Sequence, residues 1–103
     1  MNSVLNDLKH FLLARGWYPN PPAGLSKSIM IEGAELLECF QWDDPSVEAL
    51  SRQPERLSQV RHELADVLIY AYQLCLLFDW SPDEIIREKL VLNAQRYPAK
   101  NEV

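Results

Sequence analysis

The sequence predicts an all-α fold. Apolar residues recur at three- and four-residue intervals along four separate stretches, the spacing of a helix face packed on a core. No stretch sustains the strict alternation of a half-buried strand, and the hairpin dipeptides Asn-Gly and Asp-Gly are absent. Helix punctuation is frequent: Ser81-Pro82 opens one apolar run, Pro54 another, and Gly16 follows a third.

The first helix covers Val4 to Leu13, where Val4, Leu5, Leu8, Phe11 and Leu12 share helical spacing and Gly16 marks the stop. The segment from Trp17 to Gly24 holds three prolines and a glycine, so it reads as irregular but stiff, with Trp17 and Tyr18 as surface to place. The second helix runs from about Ser26 to Gln41 with Ile29, Leu36, Leu37 and Phe40 on its apolar side. Asp43-Asp44-Pro45 ends it. A short helical turn follows, with Asp44 as cap and Pro45 at the first helical position. The third helix extends from Pro54 to about Phe78. In it Leu57, Val60, Leu64, Val67, Ala71, Leu74 and Phe78 form a heptad seam for lengthwise packing. Asp79-Trp80 breaks it. Helix four opens with Ser81 as cap, Pro82 at the first position and Glu84 closing a capping box, and it stops near Arg96 before Pro98.

Residues 1–103 make a single domain, for which 103 residues leave no room for a second. A chain this short buries a modest share of its surface, so a partner chain is expected to complete the core. Fifteen acids against ten Lys and Arg give a net charge of −5, which argues against gripping a nucleic-acid polymer through bulk positive charge. Cys39 and Cys75 lie far apart, with no metal-finger spacing, and read as small core residues. The N-terminus lacks the basic-then-apolar pattern of a signal peptide. The longest apolar stretch, Val67 to Phe78, contains Gln73 and falls short of the roughly 20 residues a bilayer requires. A cytoplasmic protein without a membrane partner is expected.

Carboxylates stand where a packing helix wants apolar groups. Helix two carries Glu32, Glu35 and Glu38 at three-residue spacing beside Leu36, Leu37 and Phe40; helix three carries Glu63 and Asp66 flanking Leu64 and Val67 of the seam. Packing the two helices turns the pairs toward each other, and converging carboxylates stay ionised only if a cation or donors compensate. Lys27 and Arg61 lie on other sides. The set has no histidine at the Glu-x-x-His offset of helical di-iron proteins. All-oxygen ligation suits Mg²⁺, with Mn²⁺ as a substitute.

The order Glu32-x-x-Glu35 then Glu63-x-x-Asp66 resembles the E-x-x-E, E-x-x-D signature of MazG-like nucleoside triphosphate pyrophosphohydrolases. The similarity extends over Glu32 to Trp42, Glu63 to Tyr70, and Lys89-x-x-x-Asn93-x-x-Arg96-Tyr97-Pro98, strings similar to the small single-domain branch that includes dCTP pyrophosphatases. The resemblance implies a four-helix-bundle-like MazG-type fold completed by oligomerisation, as a homodimer or homotetramer with the pocket between protomers. It implies Mg²⁺-dependent cleavage of (deoxy)nucleoside triphosphates between the α and β phosphates, yielding monophosphate and pyrophosphate, in nucleotide-pool sanitation or control of a dCTP-type pool. Glu32, Glu35, Glu63 and Asp66 would be the metal ligands. Glu38 would orient or deprotonate the attacking water. Lys89, Asn93, Arg96 and Tyr97 would contact triphosphate and sugar, and Trp42, ahead of Trp17 and Tyr18, would stack on the base. Where dCTP-preferring relatives often carry a histidine before helix two, this chain reads Pro19-Asn20-Pro21-Pro22, with Asn20 the nearest polar residue. The rival reading from another class is a non-catalytic helical interaction module whose carboxylates are solvated; it predicts no dependence on divalent metal.

Overall fold

A computed structural model describes residues 3–100. Among these the chain forms five helices and no strand: α1 (Ser3–Ala14), α2 (Pro22–Glu38), α3 (Val47–Ser51), α4 (Pro54–Leu77) and α5 (Pro82–Arg96). The all-α expectation holds, and four of five helices lie within a few residues of their predicted places.

The departures have local causes. α2 begins four residues before Ser26, because Pro22 needs no helical N–H partner at the first position and its fixed φ suits the helix; the turn Pro22-Ala23-Gly24 is therefore regular. α2 ends at Glu38 instead of Gln41. Beyond it the amides of Cys39, Phe40 and Gln41 turn back to the carbonyls of Leu36, Leu37 and Glu38, tightening the exit. The short helix is capped by Ser46, not Asp44: its side chain accepts from the Ala49 amide at 3.1 Å. α5 starts as read, with Ser81 Oγ accepting from the Glu84 amide at 3.3 Å, but no return bond from the Glu84 carboxylate completes a capping box.

α1 and α4 end alike. The amide of Trp17 reaches the carbonyl of Leu12 and that of Gly16 reaches Leu13, with Gly16 at φ 69° in the left-handed position this closure requires. At the end of α4, Trp80 bonds to Cys75 and Asp79 to Leu76, and Asp79 takes the left-handed φ of 57°. Aspartate tolerates that region better than most residues. Phe78 and Trp80 stack across this turn at 4.9 Å. The chain leaves it at 95° to α4.

Packing centres on α2 against α4, with α1 and α3 set on α4; α5 has no substantial packing on any other helix. Buried apolar side chains are few: Leu12, Leu25 and Cys75, the first two closing α1 and α2 against the bundle. Cys39 is only half-buried, contrary to the core role expected of it. The seam of α4 is not closed within the chain either, since Leu57, Leu64 and Phe78 remain 40 to 49% exposed. The radius of gyration is 17.0 Å. A compact chain of about 100 residues has a radius of about 13 Å. The accessible surface is 8408 Å², where a compact 11.9 kDa chain exposes about 6,000 Å². The single chain is open, and it leaves many large apolar side chains uncovered. No single helix among the described residues is long and apolar enough to cross a membrane.

Candidate metal centre

α2 presents Glu32 and Glu35, and α4, packed along it, presents Glu63 and Asp66. One carboxylate oxygen from each of Glu32, Glu63 and Asp66 lies within 4.8 Å of the other two, and all three residues are half-buried. Glu35 stands one turn on from Glu32 and shares a hydrogen bond with it. Four acids thus converge from two helices. No Lys, Arg or His forms an ion pair with any of them among the described residues; the two ion pairs that do form are Arg52–Glu48 and Arg56–Asp43.

The electrostatics follow. The hydrogen bond that protonated Glu32 donates to the Glu35 carboxylate, then burial, then the negative charges of Glu35, Asp66 and Glu63 push the Glu32 carboxyl up to about 7. One proton is doing part of the work of a cation. The donor set fits a hard divalent ion: only carboxylate oxygens, from both walls of a helix pair, close enough for small side-chain rotations to bring them around one centre. A consequence is measurable without any substrate. The folded chain holds the Glu32 proton to higher pH than the unfolded chain does, so this stabilisation is complete below about 4.5 and is lost as pH rises through about 7. Asp43, whose carboxyl is held low by the Arg56 guanidinium, acts in the opposite sense and only at more acid pH. The melting temperature of metal-free protein, compared with Glu32→Gln, is expected to fall between pH 4.5 and 7.5, and Mg²⁺ at pH 8 is expected to restore it for the natural sequence alone. Differential scanning fluorimetry across that range checks both.

A groove of about 460 Å³ opens beside the acids. Glu32 and Asp66 stand on its wall, α4 adds Ile69, Tyr70 and Gln73, and α1 with its following loop adds Phe11 and Trp17. Phe11 and Trp17 meet edge to face, ring centres 6.1 Å apart. The loop is tied to α4 by the Tyr18 hydroxyl donating to the Leu76 carbonyl at 3.4 Å and by Asn20 Nδ2 donating to Gln73 Oε1 at 3.1 Å.

The other predicted site residues lie elsewhere in the chain. Trp42 is 88% exposed and lines a separate hollow with Cys39, Asp43, Glu55 and Arg56, so within one chain Trp17, not Trp42, shares the groove with the acids. Arg56 anchors that hollow, donating to the Cys39 carbonyl and to both oxygens of Asp43. Glu38 is the last residue of α2, exposed and outside the group of three. Lys89, Asn93 and Arg96 ride on α5, with Tyr97 its C-cap under the Arg96 guanidinium. At 1.5 Å per residue and a 95° corner, Lys89 sits about 20 Å from Asp66, beyond a lysine's reach. Tyr70 and Gln73 line the groove with Glu32 and Asp66 but are not among the candidate residues the sequence singles out. Their signal was there: four and seven residues after Asp66, they share its face of α4, and Gln73 is the polar interruption of an apolar run.

Comparison with known proteins gives the family. The MazG-like family profile matches residues 27–103. Mouse (Mus musculus) dCTP pyrophosphatase 1 is 31% identical over 101 residues, covering 92% of this chain and 59% of the mouse protein. The chain therefore spans about three fifths of that relative's length. A crystal structure of a pyrophosphatase from Archaeoglobus fulgidus DSM 4304 superposes with a TM-score of 0.83 at 40% identity, covering 94% of this chain and 91% of the archaeal one. By sequence and by fold, the chain belongs to the MazG-like family.

Proposed function

We propose that this protein is a Mg²⁺-dependent nucleoside triphosphate pyrophosphohydrolase, cleaving (deoxy)nucleoside triphosphates between the α and β phosphates, with a role in sanitising or balancing the nucleotide pool. The observation that carries the reading is the join of two features in one place: carboxylates gathered from α2 and α4, and an aromatic groove that shares Glu32 and Asp66 with them. Acids alone occur on many helices. Acids opening onto a slot lined by Trp17, Phe11 and Tyr70 fit a ligand that is polyanionic at one end and flat and aromatic at the other.

Glu32, Glu35, Glu63 and Asp66 would hold Mg²⁺, or Mn²⁺ in its place. The ion supplies neutralisation of the phosphate oxygens and of the charge that develops on them. The chain's own groups do the rest. Trp17 and Tyr70 offer faces for the base, for which stacking is worth about 1 to 3 kcal/mol per base. Glu38, past Glu35 on the same helix, would accept a proton from the attacking water. Lys89, Asn93, Arg96 and Tyr97 carry the positive charge and donors the acidic centre needs. Because α5 leaves α4 at 95° without substantial packing on another helix, these residues would serve the site of a second copy in a homodimer or homotetramer. Charge complementarity and the uncovered apolar residues Ile86, Leu90 and Leu92 of α5 support that assembly.

The test is direct. Purified protein with Mg²⁺ is offered each dNTP and NTP, and pyrophosphate release is followed alongside monophosphate. Pyrophosphate and monophosphate in equal amounts, abolished by chelator and restored by Mg²⁺ or Mn²⁺, is the expected result. Release of inorganic phosphate instead would mean hydrolysis at a different bond and overturn the pyrophosphohydrolase reading, and no turnover of any nucleotide would favour a non-catalytic helical interaction module.

A further inference from the structure

Gln73 is a polar residue in an apolar place. It is 4% exposed, on the part of α4 where Cys75 is also buried. Burying an amide is costly unless both its ends are satisfied. One end is: Oε1 accepts from Asn20 Nδ2 at 3.1 Å, a bond that ties positions 53 residues apart. The other end, Nε2, makes no hydrogen bond to the described residues, yet no side-chain nitrogen or oxygen among them is both fully buried and unpartnered. Nε2 is therefore not fully enclosed, and the space Gln73 lines is the groove.

The position of that donor along the groove matters. Asp66 and Gln73 are seven residues apart, two turns along one face of α4, so their backbones are separated by about 10 Å. A nucleotide with its phosphates at Asp66 and its base between Trp17 and Tyr70 brings the edge of the base farthest from the sugar toward Gln73. On that edge thymine, uracil and guanine carry a keto oxygen, an acceptor; cytosine and adenine carry an amino group, a donor. We propose that Gln73, oriented by Asn20, reads the far edge of the base and selects keto-bearing over amino-bearing nucleotides. The proposal rests on the pyrophosphohydrolase reading and deepens it: Gln73 sets specificity by contact, and Asn20 is a positioning residue that decides which end of the Gln73 amide faces the groove.

The kcat/KM for pyrophosphate release is measured with dTTP, dGTP, dCTP and dATP. The natural sequence is expected to favour the keto pair about tenfold or more, the worth of one good hydrogen bond against a misplaced donor. Gln73→Leu is expected to bring that ratio near one by lowering kcat/KM for dTTP and dGTP more than for dCTP and dATP, whereas a merely structural role for Gln73 would lower all four alike and keep the ratio. Asn20→Asp, in a half-buried loop, offers only acceptors; Gln73 then turns Nε2 toward it and presents Oε1 to the groove, so the preference is expected to invert toward dCTP and dATP. A natural sequence without keto preference, a Gln73→Leu variant that keeps the ratio, or an Asn20→Asp variant that fails to shift it would overturn base reading by Gln73 and leave the pyrophosphohydrolase assignment standing. No turnover of any triphosphate by the natural sequence would overturn the assignment itself, and this reading with it.

Discussion

Glu63→Gln, and separately Asp66→Asn, is expected to lower Mg²⁺-dependent pyrophosphate release by about a thousandfold, comparable to removing a preorganised group that stabilises transition-state charge. Each substitution is close to isosteric, so packing of α4 on α2 is preserved while one negative oxygen is withdrawn from the group of three. The same change relieves repulsion on Glu32, whose carboxyl is raised in part by the charges of Asp66 and Glu63. Activity and metal-free stability should therefore move in opposite directions: the variants melt no lower than the natural sequence at pH 8 without metal, and Mg²⁺ no longer raises their melting temperature. Steady-state kinetics with calorimetric metal titration reads both. A variant that keeps activity within tenfold, or that melts far lower without metal, would show that these acids support the helix pair and do not hold an ion.

The acids were legible in the sequence because a helix converts spacing into direction. Glu32 with Glu35, and Glu63 with Asp66, each sit three residues apart beside apolar neighbours, so each pair lies at the edge of a packed stripe, and packing the two stripes together brings the pairs to one side. Helix starts were legible for a similar reason: Pro54 and Pro82 suit the first position of a helix and little else inside one. What escaped depends on the path of loops, which has no period. The groove exists because the segment after α1 folds back so that Trp17 meets Phe11 and Asn20 meets Gln73, and neither contact has a sequence signature. The cap at Ser46 displaced Asp44 because two residues able to cap stood close together, and only the geometry of the α2 exit, fixed by Arg56 on Asp43, chose between them.

The course of α5 was the least legible feature, and it has the largest consequence. Its basic residues are as expected, but the left-handed Asp79 and the stacked Phe78 and Trp80 turn the helix outward at 95°, and periodicity says nothing of such a corner. Two inactive variants are expected to restore each other as a result. Glu63→Gln lacks a functional acid group but keeps α5; the double variant Lys89→Ala, Arg96→Ala keeps the acids but lacks the cations. If α5 serves the other copy in a two-fold pair, a mixed pair holds one site with both defects and one with neither, and equal mixing places half of all chains in mixed pairs. Co-refolded variants should then recover about a quarter of the natural activity. If α5 served its own chain, every site in a mixed pair would carry one defect, and the mixture would be no more active than the separate proteins. Pyrophosphate release from co-refolded against separately refolded samples, with the assembly's mass measured by light scattering, decides between them. The open shape favours recovery: with a radius of gyration of 17.0 Å and Ile86, Leu90 and Leu92 more than half exposed, the fifth helix has apolar surface that a second copy would cover, and the acids of that copy are where Lys89 and Arg96 would then arrive.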